Sequence, residues 1–323
     1  MRTKPLLGIE IAGYGSALPD LRESNQEFID RVGVVGKTPE DIERVTGIKY
    51  RHRAEGLADD NAQLAAKAGR IALERAELEP YQIDSVILAT TTPDQRVPAT
   101  SARVSHLLGL EGAAGFDVNA ACSGFTYALN EGYRRIHCGD QHSLVIGCDV
   151  LSRLINDDPD EWKTSVLFGD GAGAVVLSQT DTRSEAGLLG WNEVVDGSLV
   201  DILCADYDTP IYMQGREVFL RAIRLMPEVG NKALQAAGVS PDEIKAVIPH
   251  QANLRILKSA AKDLGISMDK MVWTGDMQAN TSSASIPMAL AQTLDEGKVQ
   301  RGDAALLVGF GAGMTAAASV VRY

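Results

Sequence analysis

Ala72-Leu-Glu-Arg-Ala-Glu-Leu-Glu-Pro-Tyr-Gln-Ile-Asp-Ser-Val-Ile87 returns without a gap as Ala233-Leu-Gln-Ala-Ala-Gly-Val-Ser-Pro-Asp-Glu-Ile-Lys-Ala-Val-Ile248. Seven positions are identical: Ala72/Ala233, Leu73/Leu234, Ala76/Ala237, Pro80/Pro241, Ile83/Ile244, Val86/Val247 and Ile87/Ile248. The copies lie 161 residues apart in a chain of 323, close to half its length. One such pair could be chance similarity between two helix-to-strand units. A second pair, Ser143-Leu-Val-Ile-Gly147 and Ala305-Leu-Leu-Val-Gly309, follows in the same order at nearly the same offset and points to duplication. In each copy an alanine- and leucine-rich helix (62–76, 217–237) is broken by a proline and followed by a short apolar strand (86–89, 246–248). Helices alternating with buried strands predict a largely parallel sheet in each half, covered on both faces. No Gly/Ser- or Pro-rich linker separates the halves, so they should form one compact unit. The main irregular loops are expected at 156–163 and 195–212.

Composition narrows the function classes. Hydrophobic residues at 45% and charged residues at 23% describe an ordinary globular protein. The net charge of −12 repels phosphate backbones and anionic membranes, so neither nucleic acid nor a membrane is expected as partner. No apolar run approaches the roughly 18 residues of a membrane span. The N-terminal segment lacks the apolar core of a secretory signal, so the expected location is cytoplasmic. Cys122, Cys138, Cys148 and Cys204 show no C-x-x-C spacing, so structural zinc and other metals are not expected.

Cys122 lies in Asp117-Val-Asn-Ala-Ala-Cys-Ser-Gly-Phe125, where a strand ends and a small-residue turn opens a helix. A thiol there feels the positive end of the helix dipole, which lowers its pKa, and small neighbours keep it approachable. The other three cysteines read as buried structural residues. Among five histidines only His250 directly follows an apolar strand, in Ile248-Pro-His-Gln-Ala-Asn-Leu-Arg-Ile256, where α/β folds place ligand-binding residues. Asn280 opens a helix and could be a simple N-cap. The repeat argues for more, since Cys122 maps onto Ser283 and the Asn280 segment is then the second copy of the cysteine-bearing turn. Two-fold packing would bring both helix starts to one cavity. Phe168-Gly-Asp-Gly-Ala-Gly-Ala174 leads into a strand rather than a helix, which favours close backbone packing over a phosphate loop. Val308-Gly-Phe-Gly-Ala-Gly-Met314 could present backbone N–H groups to an oxyanion.

Ala121-Cys-Ser-Gly-Phe125, Leu167-Phe-Gly-Asp-Gly-Ala-Gly-Ala174, Gly215-Arg-Glu-Val-Phe219, Pro249-His-Gln-Ala-Asn-Leu-Arg-Ile256, Asn280-Thr-Ser-Ser-Ala-Ser-Ile-Pro287 and Gly309-Phe-Gly-Ala-Gly313 together resemble the β-ketoacyl-acyl carrier protein synthase III family. The resemblance runs from about Thr46 to Tyr323. It implies an α/β thiolase-like fold, two pseudo-two-fold halves layered α-β-α-β-α. Residues 1–177 would carry the nucleophile, and residues 178–323 the histidine and asparagine. It also implies a homodimer. Cys122 matches the acyl-accepting nucleophile, and His250 and Asn280 match the pair that drives decarboxylation. The backbone N–H groups of Cys122 and Ala312 match the oxyanion hole. The implied reaction is decarboxylative condensation of an acyl thioester with malonyl-acyl carrier protein, without a cofactor, initiating fatty-acid or polyketide synthesis. Acyl transfer without condensation is the runner-up, and a Cys–His–Asn hydrolase of papain-like order is disfavoured by the internal repeat.

The partners so implied are acyl carrier protein and an acyl donor, acyl-CoA or another carrier. Arg255, Lys258 and Lys262 fall on one face of the helix after His250, a cationic dock for an acidic carrier protein, with Asn253 beside them. Asp41 and Val45 stand where the family commonly carries a tryptophan and an arginine for the adenine of CoA, and Trp162 is expected to supply the stacking ring instead. Ala312 and Ala279 each replace a frequent glycine. The acyl pocket implied by the resemblance includes Leu151, Phe168, Ile211 and, from the neighbouring subunit, Val97.

Overall fold

The computed structural model describes residues 4–181, 183–206 and 209–323. One five-stranded sheet has the order β2 (Ile9–Ala17), β8 (Asp170–Gln179), β7 (His142–Val150), β5 (Ser85–Ala89), β6 (Ala114–Val118). The other has the order β1 (Leu6–Leu7), β9 (Gly187–Val195), β14 (Thr315–Arg322), β13 (Ala304–Gly311), β12 (Ile244–Pro249). Two small antiparallel pairs lie outside them, β3 (Leu21–Ser24) with β4 (Tyr50–Arg53) and β10 (Leu203–Cys204) with β11 (Tyr212–Met213). The runs β2-β8-β7-β5 and β9-β14-β13-β12 have the same order and the same sense, antiparallel, antiparallel, parallel. The sequence repeat is therefore a structural repeat.

Helices α3 (Asn61–Arg75) and α4 (Thr100–Leu108) cover the outside of the first sheet, and α7 (Gly215–Ala237) and α8 (Leu254–Leu264) cover the outside of the second. Between the sheets lie α5 (Gly124–His137) and α10 (Ser285–Asp295), each touching both. The layers are α-β-α-β-α. The inner core joins Ile87, Val145 and Val175 of one sheet to Ile248 and Leu307 of the other through Phe125 and Leu129 of α5 and Ile286 and Leu290 of α10. Each of these large side chains contributes about 2 kcal/mol by leaving water. The glycines of β8 make room for this layer, since a Cβ on Gly173 would lie 2.6 Å from the Met288 backbone nitrogen. Close backbone packing is thus the role of that glycine-rich run.

The sheets are not largely parallel. Two of four pairings are parallel in the first sheet and one of four in the second. Crossover helices keep β5 parallel to β7, but β13 turns back through Ala312–Met314 into β14, and a connection that short permits only antiparallel pairing. Strands buried on both faces read as continuous apolar runs in either sense, so periodicity could not distinguish them. The expected loops carry more order than anticipated: α6 (Trp162–Ser165) interrupts the first, and the second contains the 3-10 segment Gly197–Ile202 and β10. Helices α1 (Asn25–Val32), α2 (Pro39–Thr46) and α6 share a satellite core built on Phe28, Ile42 and Val166, and α9 (Gly275–Gln278) leads towards Asn280.

Candidate active site

Cys122 occupies a single 3-10 turn, Ala121–Ser123, that feeds α5. The second half repeats the device 161 residues later, with Ser282–Ala284 feeding α10. Even the backbone strain is duplicated: Ala121 has φ +47° and Ser282 +49°, in the left-handed region that non-glycine residues avoid. The two turns meet between the sheets, where a Cβ on Gly124 would lie 3.6 Å from Ser283 Cβ. Both helix starts therefore converge, as the two-fold argument required.

The Cys122 thiol departs from expectation. It is only 9% exposed, and burial pushes its pKa up to about 12, with Asp149 adding to the rise; a hydrogen bond with the Ser282 side chain pulls the other way by less. Desolvation of the thiolate is the largest influence, so the resting group is the neutral thiol. Of the other cysteines, only Cys148 is buried. Cys138 ends α5 at the surface and Cys204 lies exposed in β10, so neither is the structural core residue expected.

His250 is fully buried at the end of β12, its backbone N–H donating to Val308 O at 2.8 Å. Burial lowers its pKa to about 3, so the imidazole is neutral at pH 7. Its Nδ1 lies 2.8 Å from Ser285 Oγ, which leaves Nε2 for a substrate. The edge of Phe310 packs against the ring, with centroids 5.5 Å apart at 71°. Asn280 is also buried, and its Oδ1 accepts the Ser282 backbone N–H at 2.8 Å. Asn280 is not an N-cap, since Thr281 and Ala284 hold those positions before the turn and α10; its Oδ1 instead closes a local turn over Ser282, which leaves Nδ2 as the donor of the amide. Ala279, just before it, has φ +58° and ψ −160°, a combination open essentially to glycine alone.

Asp149, missed by the sequence reading, anchors the second turn from the first half. Its Oδ2 accepts Ser283 N at 2.9 Å and Ser283 Oγ at 2.7 Å. Its Oδ1 accepts Thr91 N, Thr91 Oγ1, Thr92 Oγ1 and Thr90 Oγ1. A buried carboxylate needs such donors to offset its lost hydration. The available signal was one charge inside the apolar run 144–151. Ser282 and Ser285 were visible only as members of a serine-rich motif.

Ala312 follows the end of β13, which abuts the Cys122 turn: a Cβ on Gly311 would lie 2.5 Å from Cys122 N. Phe168 is buried beside Asn280, whose backbone N–H donates to Leu167 O at 2.9 Å while Gly169 N–H donates to Asn280 O at 3.0 Å. Leu151 is buried in the turn after β7, and half-buried Ile211 is tied to that turn through its N–H to Leu154 O, 2.8 Å. Val97 is 84% exposed.

Asn253 caps α8 by accepting Arg255 N–H at 2.8 Å and holds α2 through Nδ2 to Val45 O at 3.1 Å. Arg255, Lys258 and Lys262 are exposed on α8, with Arg255 over the Phe219 ring of α7. Asp41 closes a capping box with Thr38 and pairs with Arg44 at 2.7 Å, and the Arg44 hydrogen bond holds its carboxyl below the usual range. Trp162 is half-buried against the Phe28–Ile42 cluster. Among the described residues no group of three or more His, Cys, Asp or Glu could hold a metal ion, and no helix is long and apolar enough to cross a membrane.

Two family models match the chain, "3-Oxoacyl-[acyl-carrier-protein (ACP)] synthase III" over residues 116–197 and its C-terminal counterpart over residues 234–323. The β-ketoacyl-[acyl-carrier-protein] synthase III of Sphingopyxis alaskensis is 42% identical over 320 residues, covering 97% of this chain and 98% of that one. The crystal structure of 3-oxoacyl-[acyl-carrier-protein] synthase III from Aquifex aeolicus superposes with a TM-score of 0.93 at 40% identity, covering 98% of this chain and 100% of that one. The priming β-ketosynthase of a polyketide biosynthetic pathway superposes with a TM-score of 0.91 at 32% identity, covering 99% and 98%. With a thiolase-like fold and full-length likeness of this degree, the chain belongs to the β-ketoacyl-acyl carrier protein synthase III family.

Proposed function

We propose that this enzyme condenses an acyl thioester with malonyl-acyl carrier protein, giving 3-ketoacyl-acyl carrier protein, CO₂ and the free thiol of the acyl donor. One observation carries the reading: a buried thiol at one turn meets a second turn beside which the Asn280 amide and the Nε2 edge of His250 are left without a partner from their own turn. Acyl transfer alone needs the thiol. Decarboxylation needs the two donors.

In the first half-reaction the Cys122 sulfur attacks the donor's carbonyl carbon, the C–S bond to the donor breaks, and the thiol proton ends on the departing sulfur. The thiol is unionised at rest, so its proton leaves as the acyl group arrives. The backbone N–H groups of Cys122 and Ala312 serve the transient oxyanion. In the second half-reaction the malonyl C–C bond breaks, CO₂ departs, and the electron pair forms an enolate whose oxygen accepts from His250 and Asn280. Enolate carbon then attacks the acyl-Cys122 carbonyl, and the Cys122 thiolate leaves and takes a proton from water. Neutral His250 suits this role, because a desolvated imidazole N–H stabilises the developing charge by donating a hydrogen bond while being too weak an acid to transfer its proton.

Carrier protein docks on Arg255, Lys258 and Lys262. The acyl donor is a thioester of CoA or of a carrier, with Trp162 at its entry. Two copies pair through the open edge of β6, which brings the exposed Val97 of each to the acyl pocket of the other. The deciding experiment measures CO₂ release from malonyl-carrier protein. Wild type should release it, and Asn280→Ala and His250→Ala should each slow release about 10²-fold or more. Acyl transfer with no CO₂ from wild type would establish the simple transferase instead.

A further inference from the structure

Ser285 is buried at the first residue of α10, with its Oγ 2.8 Å from His250 Nδ1 and 2.8 Å from the Ser282 carbonyl oxygen. One hydroxyl proton cannot serve both. Two arrangements leave every group paired. In one, Nδ1–H donates to Ser285 Oγ, the hydroxyl donates to Ser282 O, and Nε2 presents a lone pair to the site. In the other, the hydroxyl donates to Nδ1, and Nε2 carries the ring proton towards the site.

The second arrangement loses nothing at Ser282, whose carbonyl already accepts the Ser285 backbone N–H. The Gln251 N–H also approaches Ser285 Oγ, at 3.4 Å, so in the second arrangement the oxygen still accepts one hydrogen bond without Nδ1–H. Only the second arrangement lets His250 act beside Asn280 as a donor to an enolate oxygen. We infer that Ser285 is a positioning residue that fixes the tautomer of His250, donating its hydroxyl proton to Nδ1 so that Nε2–H faces the substrate. The choice of tautomer rests on the condensation reading, but it is measured independently of turnover. The same short turn then orients both donors: Ser282 N–H holds Asn280 Oδ1, Ser285 holds His250, and Asp149 anchors Ser283 between them.

The test combines ¹⁵N NMR of the histidine imidazoles with kinetics in wild type, Ser285→Ala and Ser285→Thr. The His250 signals are assigned by their loss in His250→Asn. Wild type should show a neutral ring protonated at Nε2, and Ser285→Ala a mixture of tautomers. In Ser285→Ala, kcat for decarboxylation of malonyl-carrier protein should fall about 10- to 100-fold at nearly unchanged KM, with acyl transfer to Cys122 within about threefold of wild type. Ser285→Thr, which keeps the hydroxyl, should recover most of the rate. A wild-type ring protonated at Nδ1 overturns the inference without any variant. So does a Ser285→Ala protein in which both half-reactions fall together with melting temperature. Nε2–H in a wild-type protein that releases no CO₂ would preserve the tautomer assignment and sink the condensation reading.

Discussion

Ala279 combines φ +58° and ψ −160° directly before Asn280, so strain is stored beside the proposed donor amide. Ala279→Gly should relieve it and raise the urea unfolding free energy by about 1 kcal/mol, while the freer backbone lowers condensation kcat severalfold. A destabilised variant would show that alanine is at ease there. His250 makes a second prediction at this scale. Its folded pKa of about 3 lies below the ordinary 6.5, so between these values the unfolded chain binds a proton that the folded chain refuses. Stability is therefore lost as pH falls through that window, and Tm measured from about pH 7 to pH 4 should fall less steeply in His250→Asn than in wild type. The placement of Cys122, His250 and Asn280 beside strand ends and helix starts was legible from the residues around them. The sign of the Cys122 shift was not, because burial arises from packing across 161 residues of chain. Ser285 was not either, since its partners 282 and 250 become neighbours only in the folded turn.

At the scale of elements, the end of β13 and the start of α5 fit together only through glycine. Gly311→Ala would set a Cβ 2.5 Å from Cys122 N, so the nucleophile turn must shift. The variant should lose about 1–3 kcal/mol in denaturant titration and load its acyl group at least tenfold more slowly. Normal loading would detach that strand end from the oxyanion site. Helix α8 presents Arg255, Lys258 and Lys262 in a chain of net charge −12. Arg255→Glu should raise KM for malonyl-carrier protein severalfold and leave acylation of Cys122 from CoA little changed; an unchanged KM rejects this face as the dock. The helices around the repeat were readable from alanine and leucine spacing and from Pro80 and Pro241. Strand sense was not, because apolar runs such as 86–89 look alike in parallel and antiparallel pairing.

For the whole molecule, the repeat recasts 323 residues as one fold used twice, with the candidate site where the copies meet. Neither half holds the set alone: Cys122 comes from the first, His250 and Asn280 from the second, and Asp149 of the first holds Ser283 of the second. If β6 pairs two copies, Phe116→Lys on that edge should give a monomer by sedimentation. Acyl-chain preference should then become insensitive to Val97→Phe, which in the dimer should disfavour longer chains. A dimer unaffected by Phe116→Lys would place the interface elsewhere. The central claim is condensation at Cys122, and intact-mass spectrometry of enzyme and carrier protein follows both partners at once. After exposure to acyl donor, wild type should gain the acyl mass and Cys122→Ala should not. On adding malonyl-carrier protein, the enzyme should return to its free mass while the carrier gains acyl and loses CO₂. An acyl adduct on Cys122→Ala, or a carrier that takes the acyl group with its malonyl unit intact, would contradict the account.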